Sequence, residues 1–317
     1  MRRKRLRHAA DTISQVFCGC LLLGAAITST GCSRLENLSK CRSGEPDTRI
    51  AGCAALIQGG QYTTGNLSTI YGNRGTAYSS KGDHDHAIQD FNEAIRLNPN
   101  NFRAYYDRGQ AYNREDDFDL AIPDFSEAIR LNPNDMSGYY SRGSAYYNKG
   151  DYDRAIQDYS EAILLNPNFA LTYEKRGDAY LVQSNLTAAI ANFEQAISAA
   201  PSSRTAVVAA LMLHVAMKRQ GLDDAQQLAP VAAAADLSKW PGPALKLDLG
   251  QMTAGEVMVA AAHADADMQK WQFARRTTSP ARTHCYIINK RRRWRASRPR
   301  AMPARRATRI TARLWPN

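Results

Sequence analysis

The sequence predicts an all-α protein, a right-handed solenoid of stacked helical hairpins, and three observations support this prediction. Aligning the chain with itself gives a period of 34 residues that recurs four times without a gap over residues 69–202. Each repeat divides into two helical segments separated by turn residues. The chain is also 44% hydrophobic with a mean hydropathy of −0.47, which excludes wholesale disorder and several membrane spans.

Residues 1–31 predict an export signal. The basic start MRRKRLR precedes an apolar stretch from Val16 to Thr28, which is too short to cross a bilayer, and small residues then lead into Cys32. This order resembles the lipobox of bacterial lipoproteins, in which the cysteine is acylated, although Ser29 stands where that family has leucine. We expect lipidation at Cys32, with simple cleavage and secretion as the alternative. The resemblance implies a periplasmic protein held at the outer membrane by a lipid anchor.

Residues 32–68 predict a capping segment before the repeats. Once the signal, Cys32 and the tail residue Cys285 are set aside, Cys41 and Cys53 remain. Two nearby thiols in an oxidising compartment favour a disulfide, with free thiols or a zinc site as alternatives. The stretch Asp47 to Gln58 predicts a lone helix that covers the first repeat and is tied down by these cysteines.

Six columns of the repeat are occupied by accepted residue types in all four copies, and residues 69–202 are therefore predicted to form four helical hairpins. In the first copy the helices are expected near Ile70 to Ser80 and Asp85 to Leu97. The glycine, aromatic and proline columns are Gly75, Gly109, Gly143 and Gly177; Phe91, Phe125, Tyr159 and Phe193; and Pro99, Pro133, Pro167 and Pro201. Small residues let the two helices approach where they cross, and proline ends the second helix. Pro123 replaces the Gln89 of the first copy and is expected to kink or loosen its helix.

This period and these columns resemble the tetratricopeptide repeat family. The resemblance implies a superhelix whose first helices line an inner groove that binds proteins or peptides. By position in the repeat, the partner-binding candidates are Arg103, Tyr106, Gln110, Asn113, Tyr140, Ser144 and Tyr147. Tyrosine beside hydrogen-bonding groups favours protein recognition. The alternative is that Tyr106 and Tyr140 only pack against neighbouring helices.

Arginine precedes every column glycine, and aspartate recurs on the second helices. The positions are Arg74, Arg108, Arg142 and Arg176, with Asp90, Asp124 and Asp158 and with Asn192 in the fourth copy. Ion pairs that hold each hairpin closed are the favoured interpretation, and a ligand-binding ladder is the alternative.

The sequence contains no catalytic signature. It lacks the nucleophile elbow, the HExxH zinc motif, a phosphate loop and a nucleotide fingerprint, so we expect a chain that is not an enzyme and binds no cofactor or metal. The triplet His84-Asp85-His86 lies at a predicted hairpin turn, where solvated residues are expected rather than metal ligands.

Residues 203–272 predict a degenerate helical extension. Arg204 to Arg219 and Asp223 to Ala235 are expected to form two further helices, and another is expected around Leu245 to Leu249. With the lipobox and the repeats, the segment Leu237 to Ala261 resembles the NlpI-type lipoproteins. That resemblance implies an outer-membrane adaptor that holds periplasmic peptidases and cell-wall enzymes together.

Residues 273–317 are abruptly basic. They carry 13 arginines and one lysine with no acid, whereas residues 32–272 carry 22 basic and 29 acidic residues, so the chain's net charge of +11 arises at its ends. One interpretation is a disordered arm that binds nucleic acid or anionic lipid, centred on 291–295. The favoured interpretation is a shifted reading frame, because the break falls where a folded element should continue. Nucleic acid is therefore not the expected partner.

Overall fold

A computed structural model describes residues 29–60, 62–239, 241–249 and 251–252. Side chains at 29–32, 225 and 247 are not described, so the lipidation predicted at Cys32 lies outside the described part. The same holds for residues 1–28 of the predicted signal, residues 253–272 of the predicted extension and the tail 273–317. The chain divides into two compact units, residues 1–236 and residues 237–317.

Every regular element among the described residues is a helix, which confirms the all-α prediction. The first unit contains the helices α1 (Ser29–Arg42), α2 (Pro46–Gly59), α3 (Thr64–Ser80), α4 (His84–Leu97), α5 (Phe102–Arg114), α6 (Phe118–Leu131), α7 (Met136–Lys149), α8 (Tyr152–Leu165), α9 (Ala170–Val182), α10 (Leu186–Ala199), α11 (Arg204–Gln220) and α12 (Ala225–Ala234). The second unit contains α13 (Gly242–Asp248).

The four repeats form four hairpins, α3–α4, α5–α6, α7–α8 and α9–α10. The second helix of each hairpin also packs against the first helix of the next, as α4 does on α5 and α6 on α7. Each hairpin therefore buries its apolar surface against a neighbour in sequence, which confirms the predicted α-solenoid.

The core of every hairpin is an aromatic ring packed against a glycine. Phe91, Phe125, Tyr159 and Phe193 are fully buried. A Cβ placed on Gly75 would lie 2.7 Å from Cε1 of Phe91, and one on Gly177 would lie 2.7 Å from Cε1 of Phe193. These distances are too short for a methyl group, so glycine allows the ring to touch the backbone of the first helix.

Polar residues start and end the helices as the repeat predicts. Asp83 caps α4 by accepting from the backbone N–H of His86, and Asp151 caps α8 by accepting from the backbone N–H of Arg154. Gly150 ends α7 with a φ of +90°, a conformation that favours glycine. The residue before each proline of the proline column leaves the helix, as Asn98 does with φ −143° and ψ 93°.

Pro123 does not interrupt its helix. Helix α6 runs from Phe118 to Leu131 with Pro123 inside it, over the same repeat positions as α4 and α8. The proline is exposed. The packed face of α6, with Ala121, Phe125 and Ala128 buried, is retained on both sides of the proline, and the expected kink or loosening stays a prediction.

The segment before the repeats is a hairpin rather than the lone helix expected from the sequence. Helix α1 packs against α2, and α2 packs against α3. A disulfide joins Cys41 of α1 to Cys53 of α2, and both residues are fully buried beside Leu56 and Ile70. Gly52 permits the close approach, since a Cβ there would lie 2.6 Å from Cβ of Lys40.

The extension begins with the two expected helices. Helix α11 is apolar from Ala206 to Leu213 and packs on α10 and α9, with Ala209, Leu213 and Ala216 fully buried. Helix α12 then packs against α11.

In the second unit, the turn before α13 brings Gly242 against Leu237, and Ala244 and Leu245 are buried. No helix in the described part of the chain is long and apolar enough to cross a membrane.

Candidate functional site

The first helices of neighbouring repeats meet side by side and make one continuous face. Between α3 and α5, the Thr76 hydroxyl lies 3.2 Å from the Asp107 carboxylate. Between α5 and α7, the Gln110 amide donates to the Ser141 hydroxyl at 3.1 Å. We call the face formed by α3, α5, α7 and α9 the groove. It is where the predicted partner-binding residues lie.

In the second repeat, a polar network fixes the aromatic surface of the groove. The Gln110 amide donates to the Tyr106 hydroxyl at 2.8 Å as well as to Ser141, and the Ser141 hydroxyl donates to Tyr106 at 3.3 Å. The Tyr106 ring packs on Phe125 with 5.8 Å between centroids. Tyr106 is therefore only partly buried but already oriented before any partner arrives.

In the third repeat, Tyr140 joins the groove to the core. Its ring lies 5.9 Å from Tyr159 and 5.9 Å from Phe169, the latter edge to face. The Ser144 hydroxyl donates to the Tyr140 carbonyl at 2.9 Å and accepts from the Tyr159 hydroxyl at 3.2 Å. One part of the half-buried Tyr140 ring therefore packs inward, and partner recognition through its accessible part stays a prediction.

The remaining candidates extend the groove toward its edges. Tyr147 packs edge to face on Tyr152 at 5.4 Å, and burial raises the pKa of its hydroxyl. Arg103, at the start of α5, is exposed. Asn113 is partly buried, and its Oδ1 accepts no hydrogen bond within the described part of the chain.

A carboxylate of α5 lies among three arginines. Burial raises the pKa of Asp107 to about 6, even though the Thr76 hydroxyl and the charges of Arg103, Arg114 and Arg49 all act to lower it. The Thr76 hydroxyl is also 2.9 Å from the Gly72 carbonyl. When Thr76 donates to that carbonyl, a protonated Asp107 donates to Thr76 in turn, and this arrangement leaves no buried charge.

Helix α9 supplies the opposite charge. The Lys175 ammonium lies 2.8 Å from Glu174 and 3.2 Å from Asp178, so two carboxylates share one cation. The Glu174 side chain is 5% exposed and that of Asp178 is 16% exposed, against 33% for Lys175. Burial raises the pKa of both Glu174 and Asp178. Burial lowers the pKa of Lys175, but the two carboxylates outweigh it and the net change is upward.

The arginine column lies outside the groove and holds the hairpins together. Arg142 donates through Nε and Nη2 to Asp158 at 2.8 and 2.7 Å, and its guanidinium lies 5.9 Å from the centre of the Tyr139 ring. Arg74 and Arg108 make the same bidentate pairs with Asp90 and Asp124. The predicted ion pairs are therefore confirmed in the first three repeats.

The same arginines also connect neighbouring repeats. The Nη1 of Arg142 donates to Ser126 of the preceding repeat at 3.0 Å, and the Nη1 of Arg176 donates to Ser160 at 2.9 Å. The guanidinium groups of Arg142 and Arg176 thus each join three helices. This role supports the structural interpretation of the column over a ligand-binding ladder.

Three groove residues were missed by the sequence analysis. Asp107 and Lys175 occupy a repeat position that has no shared residue type, so the period drew no attention to them. Phe169 was detectable, because it replaces Asn101 and Asp135, which cap the corresponding helices α5 and α7 through their side chains. Helix α9 has no side-chain cap at Phe169, which contacts Tyr140 instead.

The histidine triplet His84-Asp85-His86 forms the first turn of α4, directly after the hairpin turn. His86 pairs with Asp83 at 2.8 Å and stacks on Tyr78 with 5.2 Å between centroids. Among the described residues, no group of three or more His, Cys, Asp or Glu side chains is placed to hold a metal ion.

Family models of the tetratricopeptide repeat match the chain over residues 75–116, 102–135, 137–169 and 170–203. The chain therefore contains tetratricopeptide repeats across the four hairpins. No curated protein sequence matches it.

Several solved structures are similar to part of this chain. A crystal structure of MamA is 24% identical, with a TM-score of 0.48, and the match covers 53% of this chain and 91% of MamA. MamA from Desulfovibrio magneticus RS-1 is 21% identical, with a TM-score of 0.49 and coverage of 53% and 92%. YrrB, described as a TPR protein with an unusual peptide-binding site, is 22% identical, with a TM-score of 0.47 and coverage of 58% and 90%.

Proposed function

We propose that this chain is a non-catalytic adaptor that binds partner proteins or peptides in its groove. The observation that carries the proposal is the continuous face of α3, α5, α7 and α9. It presents partly buried, preoriented tyrosines beside charged and hydrogen-bonding groups. Such residues supply contact area with little loss of side-chain freedom on binding, as protein-recognition surfaces require.

The proposed location is the bacterial cell envelope. The order of residues before Cys32 supports export and lipid attachment. The Cys41–Cys53 disulfide supports an oxidising compartment such as the periplasm. Among envelope partners, the NlpI-type resemblance favours peptidases and cell-wall enzymes.

Site-specific photocrosslinking tests the groove. A photoreactive residue is placed at Arg103 or Tyr147 in the groove, and at Gln89 or Gln157, which are exposed on the second helices α4 and α8. The full chain is then irradiated in envelope extract of the source cells. We expect discrete adducts from the two groove positions and only background from the two controls.

A matched variant separates recognition from loss of fold. Tyr106→Ala removes a groove ring but leaves the glycine and arginine columns intact. The adducts from Tyr147 should weaken in this variant while its circular dichroism spectrum stays helical. Equal adducts from the control positions, or none from the groove, would refute the proposed function.

The second candidate function is binding of nucleic acid or anionic lipid through the basic residues 273–317. The observation in its favour is their 14 positive charges without an acid. Binding of this kind weakens steeply with salt. It predicts that binding to a DNA duplex or to phosphatidylglycerol vesicles is lost at high ionic strength and on deletion of 273–317.

A further inference from the structure

We infer that the groove is polarised and selects a peptide segment that carries an acidic residue over α5 and a basic residue over α9. This inference rests on the proposed function and names the partner chemistry of the same groove. Within the groove, α5 and α9 differ in charge. Helix α7, which lies between them, contributes aromatic and hydroxyl groups instead.

The α5 end is positive. Arg103 and Arg114 are exposed residues of α5, and Arg49 reaches the groove from α2, where its Nη2 donates to the carbonyl of Asn73 at 3.2 Å. Arg114 donates to Ser79 on α3 at 3.4 Å. Asp107 is the carboxylate on which these three cations act, and it is partly buried. A carboxylate of a partner would therefore meet more positive than negative charge here.

The α9 end is negative within the groove. Glu174 and Asp178 share the single ammonium of Lys175, and both carboxylates are more buried than the lysine. Arg204, the first residue of α11, acts on Glu174 more weakly than Lys175 does. A lysine or arginine of a partner would compensate the remaining carboxylate charge, with the tyrosines of α7 beside it.

The middle helix keeps the two charges apart. The charged residues of α7 are Arg142 and Lys149, and these are paired with Asp158 and Asp119. Its groove residues are Tyr140, Ser144 and Tyr147. Neighbouring packed helices lie about 8 to 10 Å apart, so α5 and α9 are roughly 16 to 20 Å apart. An extended peptide would span that distance with roughly five or six residues.

Polarity fixes the direction of the bound segment. A peptide lying in the reverse direction would place its acid on Glu174 and Asp178 and its base on Arg103 and Arg114. Like charges brought together in an interface disfavour the wrong arrangement more than matched charges favour the right one. We therefore expect the groove to bind a peptide with one order of charges more tightly than a peptide with the reverse order. The tyrosines supply contact area for both peptides.

A random-peptide phage library selected on the immobilised full chain tests this without knowledge of the natural partner. The expected result is enrichment of peptides with Asp or Glu and Lys or Arg about five or six positions apart. A synthetic copy of an enriched peptide is then titrated against the wild type and variants by isothermal calorimetry. A copy with its two charges exchanged should bind at least about tenfold more weakly.

Charge reversal identifies the contact. Arg103→Glu should weaken the enriched peptide at least about tenfold, and replacing the peptide's acid with lysine should restore binding to that variant. Arg130→Glu is the matched control, because Arg130 is an exposed arginine on the second helix α6. This control should change the affinity by less than about twofold. Glu174→Gln should weaken binding only while the peptide keeps its basic residue.

The outcomes separate the two claims. Peptides whose binding needs Tyr106 and Tyr140 but shows no charge order would overturn the polarity and leave the proposed function standing. Peptides unaffected by any groove substitution, or no enrichment at all, would overturn both. Loss of binding on Arg103→Glu without rescue by the lysine peptide would also overturn the polarity, since rescue requires direct charge contact.

Discussion

Gly72 and Gly75 lie three residues apart in α3 and have opposite surroundings. A Cβ on Gly75 would lie 2.7 Å from the buried Phe91 ring, whereas a Cβ on Gly72 would have no atom within 4 Å. We expect Gly75→Ala to lower the free energy of unfolding by about 1 to 3 kcal/mol, because the ring has no space to retreat. Gly72→Ala should raise it by roughly 0.5 to 1 kcal/mol through helix propensity.

Urea denaturation of both variants, followed by circular dichroism, measures the pair. The two substitutions add the same methyl group to the same helix, so propensity acts equally on both. Equal effects of the same sign would mean that contact with the aromatic column does not determine which glycine is required.

Asp107 gives the chain a specific dependence on pH. Its pKa of about 6 in the folded chain exceeds the value of about 3.9 for an unfolded aspartate, so folding favours the protonated form. The protonated carboxyl therefore makes its full contribution to the free energy of unfolding below pH 4. This contribution is lost as the pH rises through 6. The largest penalty, above pH 7, is on the order of 1 to 3 kcal/mol.

Asp107→Asn should remove that penalty. We expect the variant and the wild type to have similar free energies of unfolding near pH 4, and the variant to be more stable at pH 8. Glu161→Gln, at an exposed position of α8, is the control and should show a nearly constant difference. An Asp107→Asn difference that does not change between pH 4 and 8 would contradict the raised pKa.

The fourth hairpin lacks one part of the arginine column. Arg176 donates through Nε to the Asn192 Oδ1 at 2.8 Å, where the other hairpins offer a carboxylate. Burial lowers the pKa of Arg176. Asn192→Asp should supply the missing charge and raise the melting temperature, with a gain of about 0.5 to 1.5 kcal/mol after loss of the bond from Asn192 to the Ala188 carbonyl.

The third hairpin provides the reciprocal experiment. Asp158→Asn converts its pair with Arg142 into the arrangement found in the fourth hairpin and should lower the melting temperature by a comparable amount. Differential scanning calorimetry measures the change in melting temperature of each variant, and we expect the two changes to have opposite signs. Destabilisation by Asn192→Asp would mean that the site cannot accept the bidentate geometry seen at Asp158.

The sequence predicted the repeat helices well because each hairpin repeats the same packing requirements. The bounds of α4 differ from the expected Asp85 to Leu97 by one residue at the start, since Asp83 and the Asn98-Pro99 pair determine them locally. Helix α3 starts six residues earlier than expected, at Thr64, because Thr63 caps it. No column of the repeat reports on that cap. Likewise, α1 carries no repeat signal, and its contact with α2 emerged from the structure.

The groove was less predictable than the helices. Repeat position places Tyr106, Tyr140 and Tyr147 on the first helices, but the charge of a site depends on side chains that converge from different elements. Arg49 of α2 acts on Asp107 of α5 across 58 residues of sequence. Such a contact follows from the stacking geometry rather than from any column, so the repeat pattern could not predict which charges meet in the groove.

In a solenoid, stability is transmitted mainly between neighbours, so a change at one end should remain largely at that end. The cap α1–α2 is closed by the Cys41–Cys53 disulfide and packs on α3. Closing so short a loop stabilises a segment by about 2 to 3 kcal/mol through loss of freedom in its open form. Reduction should therefore destabilise the cap more than the last repeats.

Hydrogen exchange with and without a reductant measures this along the chain. We expect faster exchange of the amides of α1, α2 and the start of α3 after reduction, and little change in α9 and α10. The Cys41→Ser, Cys53→Ser variant should reproduce that pattern without reductant, which separates loss of the bond from other effects of the reagent. Faster exchange in every helix would contradict the prediction that the effect of reduction stays at the cap. The array would then open as one cooperative unit, and the cap would control all the repeats. With exchange confined to the cap, the groove residues of α5 to α9 would keep their geometry in either redox state, and reduction would affect partner binding only through Arg49 of α2.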